Sequence, residues 1–192
     1  MKVVCIGDSN TYGYDPRSYW GDRYPKDSRW VDLLAAQTGW EVYNQGENGR
    51  TIPAGPVLLP QDINLLIVML GTNDLLQGAP PETTAEKMKH FLLGLGLPRE
   101  KLLLVAPPPM ARGEWVPTTT LVEASLALAR YYRELAQALH VRFADAGMWN
   151  ISLAYDGVHF TEQGHRDFAA GLGKVLYPQR ERRPSQPCIH LP

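Results

Sequence analysis

The residues that decide the fold are 64–74, which read Asn-Leu-Leu-Ile-Val-Met-Leu-Gly-Thr-Asn-Asp. Apolar residues follow one another without a break from Leu65 to Leu70, and a glycine then stops the run. A continuous apolar run of this length is typical of a strand buried on both faces, as the inner strands of a parallel sheet are. The stretch therefore predicts a central strand with a polar loop, 71–74, at its carboxyl end.

Strands and helices alternate on both sides of this run. Short apolar runs predict strands at 2–6, 41–44, 64–70, 101–106 and 141–144. Apolar residues three or four positions apart predict helices from about 30 to 38, at 81–95, at 121–139 and after a cap at Thr161. The Gly- and Pro-rich stretches 8–26 and 45–61 are predicted as loops, each with one short helix. Five alternations favour an α/β fold with a parallel sheet covered on both faces.

Composition narrows the class of protein before any motif is considered. The chain has 192 residues, with 19 Lys and Arg against 20 Asp and Glu, which argues against a nucleic-acid partner held by a basic face. The longest apolar run is far below the roughly 20 residues that span a bilayer, and residues 1–8 lack the core of a signal peptide. Two cysteines make no disulfide framework, which favours a reducing compartment. We predict a cytoplasmic protein without a membrane partner.

The composition changes near the C-terminus. Residues 178–192 contain four prolines, three arginines and one glutamate, with few apolar residues. We predict one domain at 1–177, followed by a poorly ordered tail at 178–192.

Four loops carry polar side chains beyond strand ends or before the last helix, where open α/β sheets bind ligands. They are Gly-Asp-Ser-Asn at 7–10, Gly-Glu-Asn-Gly-Arg-Thr at 46–51, Gly-Thr-Asn-Asp at 71–74 and Asp-Gly-Val-His-Phe-Thr at 156–161. Each is a small-residue turn that bears a polar side chain able to take part in chemistry.

These loops contain the residue types of nucleophilic catalysis. Ser9 is a candidate nucleophile that needs a neighbouring base, or else a helix cap. His159, three residues after Asp156, is a candidate base whose tautomer the carboxylate would fix, or else part of an ordinary turn. The Asn73 amide and the backbone N–H groups of Ser9 and Gly49 can donate to an oxyanion. The alternatives are an Asx turn for Asn73 and a left-handed turn residue for Gly49.

Together the loops resemble the four blocks of the SGNH hydrolases, also called the GDSL esterase family. The family is named for the Ser, Gly, Asn and His of successive blocks, which match Ser9, Gly49, Asn73 and His159 in order across residues 6–160. The small bacterial arylesterase and acyltransferase branch is the most similar, on residues 7–14, 29–30, 69–74, 107–109 and 156–161. Asn10 departs from the pattern, because the family name has leucine there, and this change concerns the local pocket.

The resemblance implies a three-layer α/β/α flavodoxin-like sandwich with a five-stranded parallel sheet. It also implies a serine esterase for short-chain aryl, alkyl or acetylated-sugar esters that uses no metal or organic cofactor. Ser9, His159 and Asp156 would form the catalytic triad, and Ser9, Gly49 and Asn73 the oxyanion hole. Homo-oligomers are common in this branch, so a homo-oligomer is a further expectation.

Other polar and aromatic residues have two interpretations each. The predicted substrate contacts are Asp8, Asn10, Tyr12, Tyr14, Trp115 and Val158. The aromatic residues, Trp20 included, either shape an acyl or alcohol pocket or serve ordinary packing or a subunit contact. Arg50 either meets a polar substrate group or forms a structural ion pair. The remaining histidines lack the companions of a metal site and are predicted on the surface: His90, His140, His165 and His190.

Three alternative functions remain open at this point. Residues 9–13 also resemble a flavodoxin phosphate loop, which predicts an FMN-binding electron carrier. A protein that kept the pocket without turnover would be a binding module. An acyltransferase or perhydrolase would use the same site but give the acyl group to an alcohol or peroxide instead of water.

Overall fold

A computed structural model of the chain describes residues 1–18 and 20–177. The predicted tail at 178–192 and His190 lie outside the described residues, so the predicted domain boundary stays a prediction.

Within the described residues, five parallel strands form a single sheet, in the order β2-β1-β3-β4-β5. The strands are β1 Lys2–Gly7, β2 Glu41–Gly46, β3 Leu65–Met69, β4 Leu102–Ala106 and β5 Arg142–Asp145. This is the flavodoxin-like order, and it confirms the predicted fold class. Gly7, at the end of β1, is level with Gly46 on one side and Met69 on the other. The polar loops after these three strands therefore begin side by side.

In the part of the chain that the structure describes, six helices connect and cover the strands. They are α1 Ser9–Tyr12, α2 Trp30–Thr38, α3 Thr72–Leu76, α4 Pro81–Gly94, α5 Thr119–Leu139 and α6 Glu162–Leu176, with 3-10 turns at Arg99–Lys101 and Ala146–Trp149. Thr161 caps α6 as predicted, because its side chain accepts the Gly164 N–H. Among the described residues, no helix is long and apolar enough to cross a membrane.

Two elements differ from the expectation. The prediction of a short helix within 45–61 is wrong, because these residues continue β2 and then form an irregular loop. Its backbone is held by distant groups, such as the Asp74 carboxylate that accepts the Ile52 N–H. Helix α3 was not predicted, because five residues are too few to show a helical period.

Alternate residues of each strand belong to different cores, which is why the sheet has three layers. Val4 and Ile6 of β1 pack in the core that contains α4 and α5. Val3 and Cys5 pack in the opposite core, with α2 and α6. All four side chains are almost fully buried, and each contributes on the order of 1 to 3 kcal/mol of burial energy. Both faces of the sheet are covered, as the continuous apolar runs predicted.

Helix α1 rests directly on the strand ends. A Cβ placed on Gly46 would lie 2.1 Å from the Tyr12 backbone nitrogen, and one on Gly7 would lie 1.9 Å from Thr11 Oγ1. Only glycine allows this approach at the two positions. The chain therefore turns into α1 immediately after β1, and Ser9 begins that helix above the centre of the aligned strand ends.

Candidate active site

Ser9 is the first residue of α1 and is 6% exposed. The helix is capped by Asp8 rather than by Ser9, since Asp8 Oδ1 accepts the Asn10 N–H at 3.0 Å. The Ser9 hydroxyl is instead 3.0 Å from His159 Nε2. The fold thus brings Ser9 and His159, which are far apart in the sequence, within hydrogen-bond reach of each other.

Asp156 fixes the orientation of His159. Its Oδ2 is 2.7 Å from His159 Nδ1, while its Oδ1 accepts the backbone N–H groups of Val158 and His159 at 2.8 and 2.9 Å. Burial raises the pKa of Asp156, but these hydrogen bonds outweigh it and hold the pKa below its ordinary value. The Asp156 carboxylate accepts a hydrogen bond from the Nδ1–H group of His159, and this pairing leaves Nε2 to accept the hydrogen bond of the Ser9 hydroxyl.

Two aromatic rings flank the His159 imidazole. The Tyr14 ring centroid lies 4.6 Å from that of His159, and the Trp115 ring meets the imidazole edge-on at 4.8 Å. The Trp115 backbone N–H also donates to the Asp156 carbonyl, and its side chain remains half-exposed. Of the aromatic residues predicted near the site, Tyr14 and Trp115 therefore contact the candidate base.

The loops after β2 and β3 place the candidate oxyanion donors. Gly49 has a φ of 73°, in the left-handed region that favours glycine. Asn73, the second residue of α3, donates from Nδ2 to the Arg50 carbonyl at 3.1 Å. An amide nitrogen carries two hydrogens, so a second donor remains on Asn73. The structure thus brings the third polar loop against the residue that follows Gly49.

Asp74 was missed by the sequence analysis, although it stands beside Asn73 after the most buried strand. Its fully buried carboxylate accepts the Ile52 N–H and the Lys87 ammonium, both at 3.0 Å. It therefore ties the loop after β2 to α3 and α4.

Arg50 takes the second of its two predicted interpretations. Its guanidinium pairs with Glu47 at 2.8 Å and donates to the Gln45 carbonyl at 2.6 Å. It forms a structural ion pair that closes the turn containing Gly49.

Three of the predicted substrate contacts lie in the interior. Asp8, Asn10 and Val158 are 2%, 4% and 5% exposed. Their polar groups bond within the protein, and the Val158 side chain joins the core, so contact of these residues with substrate stays a prediction. Burial raises the pKa of Asp8 to about 6, against the lowering effects of the Asn10 N–H and of His159. Tyr12 lies under the Arg23 guanidinium, 4.4 Å from ring to cation.

The surface prediction for His165 is wrong. Its side chain is fully buried, packs edge-on against Tyr24 and Phe160, and accepts the Trp30 N–H at 3.4 Å. Burial lowers the pKa of His165 to about 3, so the ring is neutral. Its position three residues before Phe168, on the apolar face of α6, is a signal that could have revealed it.

The surface prediction is correct for two other histidines. His90 and His140 are exposed, as predicted. Within 1–18 and 20–177, no group of three or more His, Cys, Asp or Glu is placed to hold a metal ion.

The chain is similar to known esterases in sequence and in structure. A family model described as "GDSL-like Lipase/Acylhydrolase family" matches residues 5–166. The native aryl esterase of M. smegmatis is 31% identical over 92% of this chain and 98% of its own, with a TM-score of 0.76. A carbohydrate acetylesterase from Sinorhizobium meliloti is 26% identical over 92% and 98%, with a TM-score of 0.74. A search of curated proteins gave no significant match.

Proposed function

Because the chain belongs to the GDSL-like lipase/acylhydrolase family, and is therefore a carboxylic ester hydrolase, we propose that it cleaves short-chain esters through an acyl-enzyme on Ser9. The observation that carries the proposal is the continuous relay from Ser9 through His159 to Asp156, with contacts of 3.0 and 2.7 Å. These are the three residues predicted from the sequence, and their contacts support the proposal.

In the proposed reaction, Ser9 Oγ attacks the ester carbonyl carbon while His159 Nε2 takes its proton. The Asp156 carboxylate stabilises the resulting imidazolium. The tetrahedral oxyanion accepts hydrogen bonds from the backbone N–H groups of Ser9 and Gly49 and from Asn73 Nδ2. The C–O bond to the leaving alcohol then breaks, and the alcohol takes the proton from Nε2. A water repeats these steps, releases the carboxylic acid and restores Ser9.

The proposed substrates are small esters with acetyl to butyryl acyl groups on an aryl, alkyl or sugar alcohol. Two observations support this range. Solved neighbours carry the names aryl esterase and carbohydrate acetylesterase. The group that protonates the leaving alcohol, His159, lies between the rings of Tyr14 and Trp115, which offer apolar surface to that alcohol.

The decisive experiment is hydrolysis of 4-nitrophenyl acetate by wild type, Ser9→Ala and His159→Ala. We expect activity in the wild type and a fall in kcat of about 10⁴-fold or more in both variants. Ser28→Ala, at another buried serine, and His90→Ala, at an exposed histidine, are matched controls that should retain activity. Full activity in folded Ser9→Ala contradicts the mechanism, and a wild type inactive on every ester favours the binding module.

Acyl transfer is the second candidate, because the triad side chains are buried and two aromatic rings contact His159, so an acceptor alcohol would meet apolar surface there. Adding 1-butanol to the assay and measuring butyl acetate against acetate separates the two outcomes. Ester product that exceeds acid at low alcohol concentration assigns transfer, while acid as the main product assigns hydrolysis.

The flavin alternative gains no support from the geometry. The Ser9 hydroxyl and the Asn10 side-chain amide, which a phosphate would need, are bonded to residues of the last polar loop. Flavin absorbance in the purified protein would support the flavin-binding alternative.

A further inference from the structure

Asn10 connects the turn that carries Ser9 to the loop that carries His159. Its side-chain Oδ1 accepts the Phe160 N–H at 2.8 Å, and its Nδ2 donates to the Val158 carbonyl at 3.1 Å. These two partners are the residues on either side of His159. The Asn10 amide therefore pairs with the backbone around the histidine as one peptide group pairs with another across a sheet.

The backbone of Asn10 is itself held in place. Its N–H donates to Asp8 Oδ1, and its carbonyl accepts the Trp30 Nε1–H, each at 3.0 Å. The side chain is 4% exposed and sits in a helix seated on the strand ends, so it projects from a fixed base. Movement of the histidine loop relative to Ser9 would break two buried hydrogen bonds and leave their donors and acceptors without partners, which is unfavourable in the interior.

We propose that Asn10 is a positioning residue that sets the distance between Ser9 Oγ and His159 Nε2 by fastening the peptide groups on both sides of His159. The inference rests on the proposed function. It concerns a position next to the nucleophile where a side-chain amide is required, because an amide offers one donor and one acceptor side by side. Leucine offers neither group, and an ionised aspartate offers acceptors alone.

The alternative is that Asn10 serves only the stability of the fold. The two interpretations differ in what they change. A stabilising residue alters the unfolding temperature and leaves the kcat of the folded enzyme intact. A positioning residue alters kcat and the reactivity of Ser9, with KM little changed, because the Ser9–His159 geometry is needed in the transition state.

The test compares Asn10→Leu with Asn64→Leu, in which the same change is made just before β3, beside the start of β1 and far from the strand ends that carry Ser9. Asn64 Oδ1 accepts the Lys2 N–H there. For each folded protein, kcat and KM are measured with 4-nitrophenyl acetate, and the rate of Ser9 modification is measured with phenylmethylsulfonyl fluoride. We expect kcat and the modification rate of Asn10→Leu to fall about 10- to 100-fold, with KM within about threefold. Asn64→Leu should stay near the wild type.

A second variant covers the case in which Asn10→Leu does not fold. Asn10→Asp keeps the shape and the acceptor for Phe160 but loses the donor to Val158, and its kcat should also fall with KM retained. A kcat within twofold of wild type in either folded variant overturns the proposal. It is overturned as well if neither variant folds while Asn64→Leu does, since Asn10 then serves stability. Activity that survives Ser9→Ala refutes the proposed function itself, a result separate from these.

Discussion

The candidate site has two sides that are built differently. The triad side, formed by Asp8, Ser9, Asn10, Asp156 and His159, is buried, with no residue more than 6% exposed. The oxyanion side, formed by the turn 47–50 and Asn73, is open to solvent: Gly49 is exposed and the Glu47 side chain is 66% exposed. Buried side-chain hydrogen bonds hold the triad residues in place. The oxyanion side is a surface turn that only a few contacts hold. Substitutions should therefore have large effects on the triad side and graded effects on the oxyanion side.

The largest effect is expected from Asp156→Asn. The amide cannot favour the Nδ1–H tautomer or stabilise the imidazolium, so kcat for 4-nitrophenyl acetate should fall about 10⁴-fold with little change in KM. Asp167→Asn, at a partly exposed carboxylate on α6, is the matched control. A loss smaller than about tenfold would show that the buried pair does less than a triad requires.

Asn73→Ala comes next, on the oxyanion side. Removing one donor to the oxyanion should lower kcat about 10²- to 10³-fold. Asn73→Asp, which keeps the shape but supplies no N–H donor when ionised, should lose activity in the same way. An effect on KM alone in steady-state kinetics would contradict the oxyanion role.

A smaller effect is expected from Arg50, which holds the turn on the oxyanion side without donating to the oxyanion. Arg50→Met removes the bond to the Gln45 carbonyl and the pair with Glu47, so the Gly49 N–H loses part of its orientation. We expect kcat to fall by up to about tenfold, since misplaced groups cost rate even without a lost contact to substrate. Thermal unfolding should change little, because exposed ion pairs contribute about 0 to 1 kcal/mol. Lys89→Met breaks the exposed pair with Glu86 on α4 and should leave kcat unchanged.

The smallest effect on turnover, but a clear one on stability, is expected from His165→Gln. The pKa of His165 is about 3 in the folded protein against 6.5 ordinarily, so between these values the unfolded chain binds the extra proton. Folding stability from His165 is therefore lost as the pH falls from 6.5 toward 3. Asp8 acts in the opposite direction, because its raised pKa, about 6, adds stability below pH 6 that is lost as the pH rises.

Urea unfolding measured from pH 4.5 to 6 tests this balance. In the wild type, protonation of His165 in the unfolded chain lowers the free energy of unfolding as the pH falls. In His165→Gln this loss is absent, so the slope of unfolding free energy against pH should be smaller by about 1.4 kcal/mol per pH unit. His90→Gln, at an exposed position, should leave the slope as it is. An unchanged slope in His165→Gln would mean that the buried ring is charged.

The sequence predicted most of the fold because the sheet is covered on both faces. Continuous apolar runs such as 65–70 indicate strands that are buried on both faces. The ends of these strands then predict where the polar loops lie. The sequence did not predict α3, which is too short to have a period. It also misplaced His165, because burial of a polar side chain depends on partners far along the chain. For the same reason the bonds from Asn10 to the histidine loop were not predicted. Only the apolar spacing on α6 offered a local sign that His165 is buried.

The hydrogen bond between Ser9 and His159 joins residues 150 positions apart, and the bond from Phe160 to Asn10 spans the same distance. Contacts of such separation form late, since a long loop must close before they contribute. The first strand and its helix leave the ribosome long before the histidine is synthesised, so a growing chain carries the serine without its base. On dilution from denaturant, the return of helical signal should precede the return of turnover. Turnover therefore reports that the residues from Ser9 to Phe160 have completed their folding.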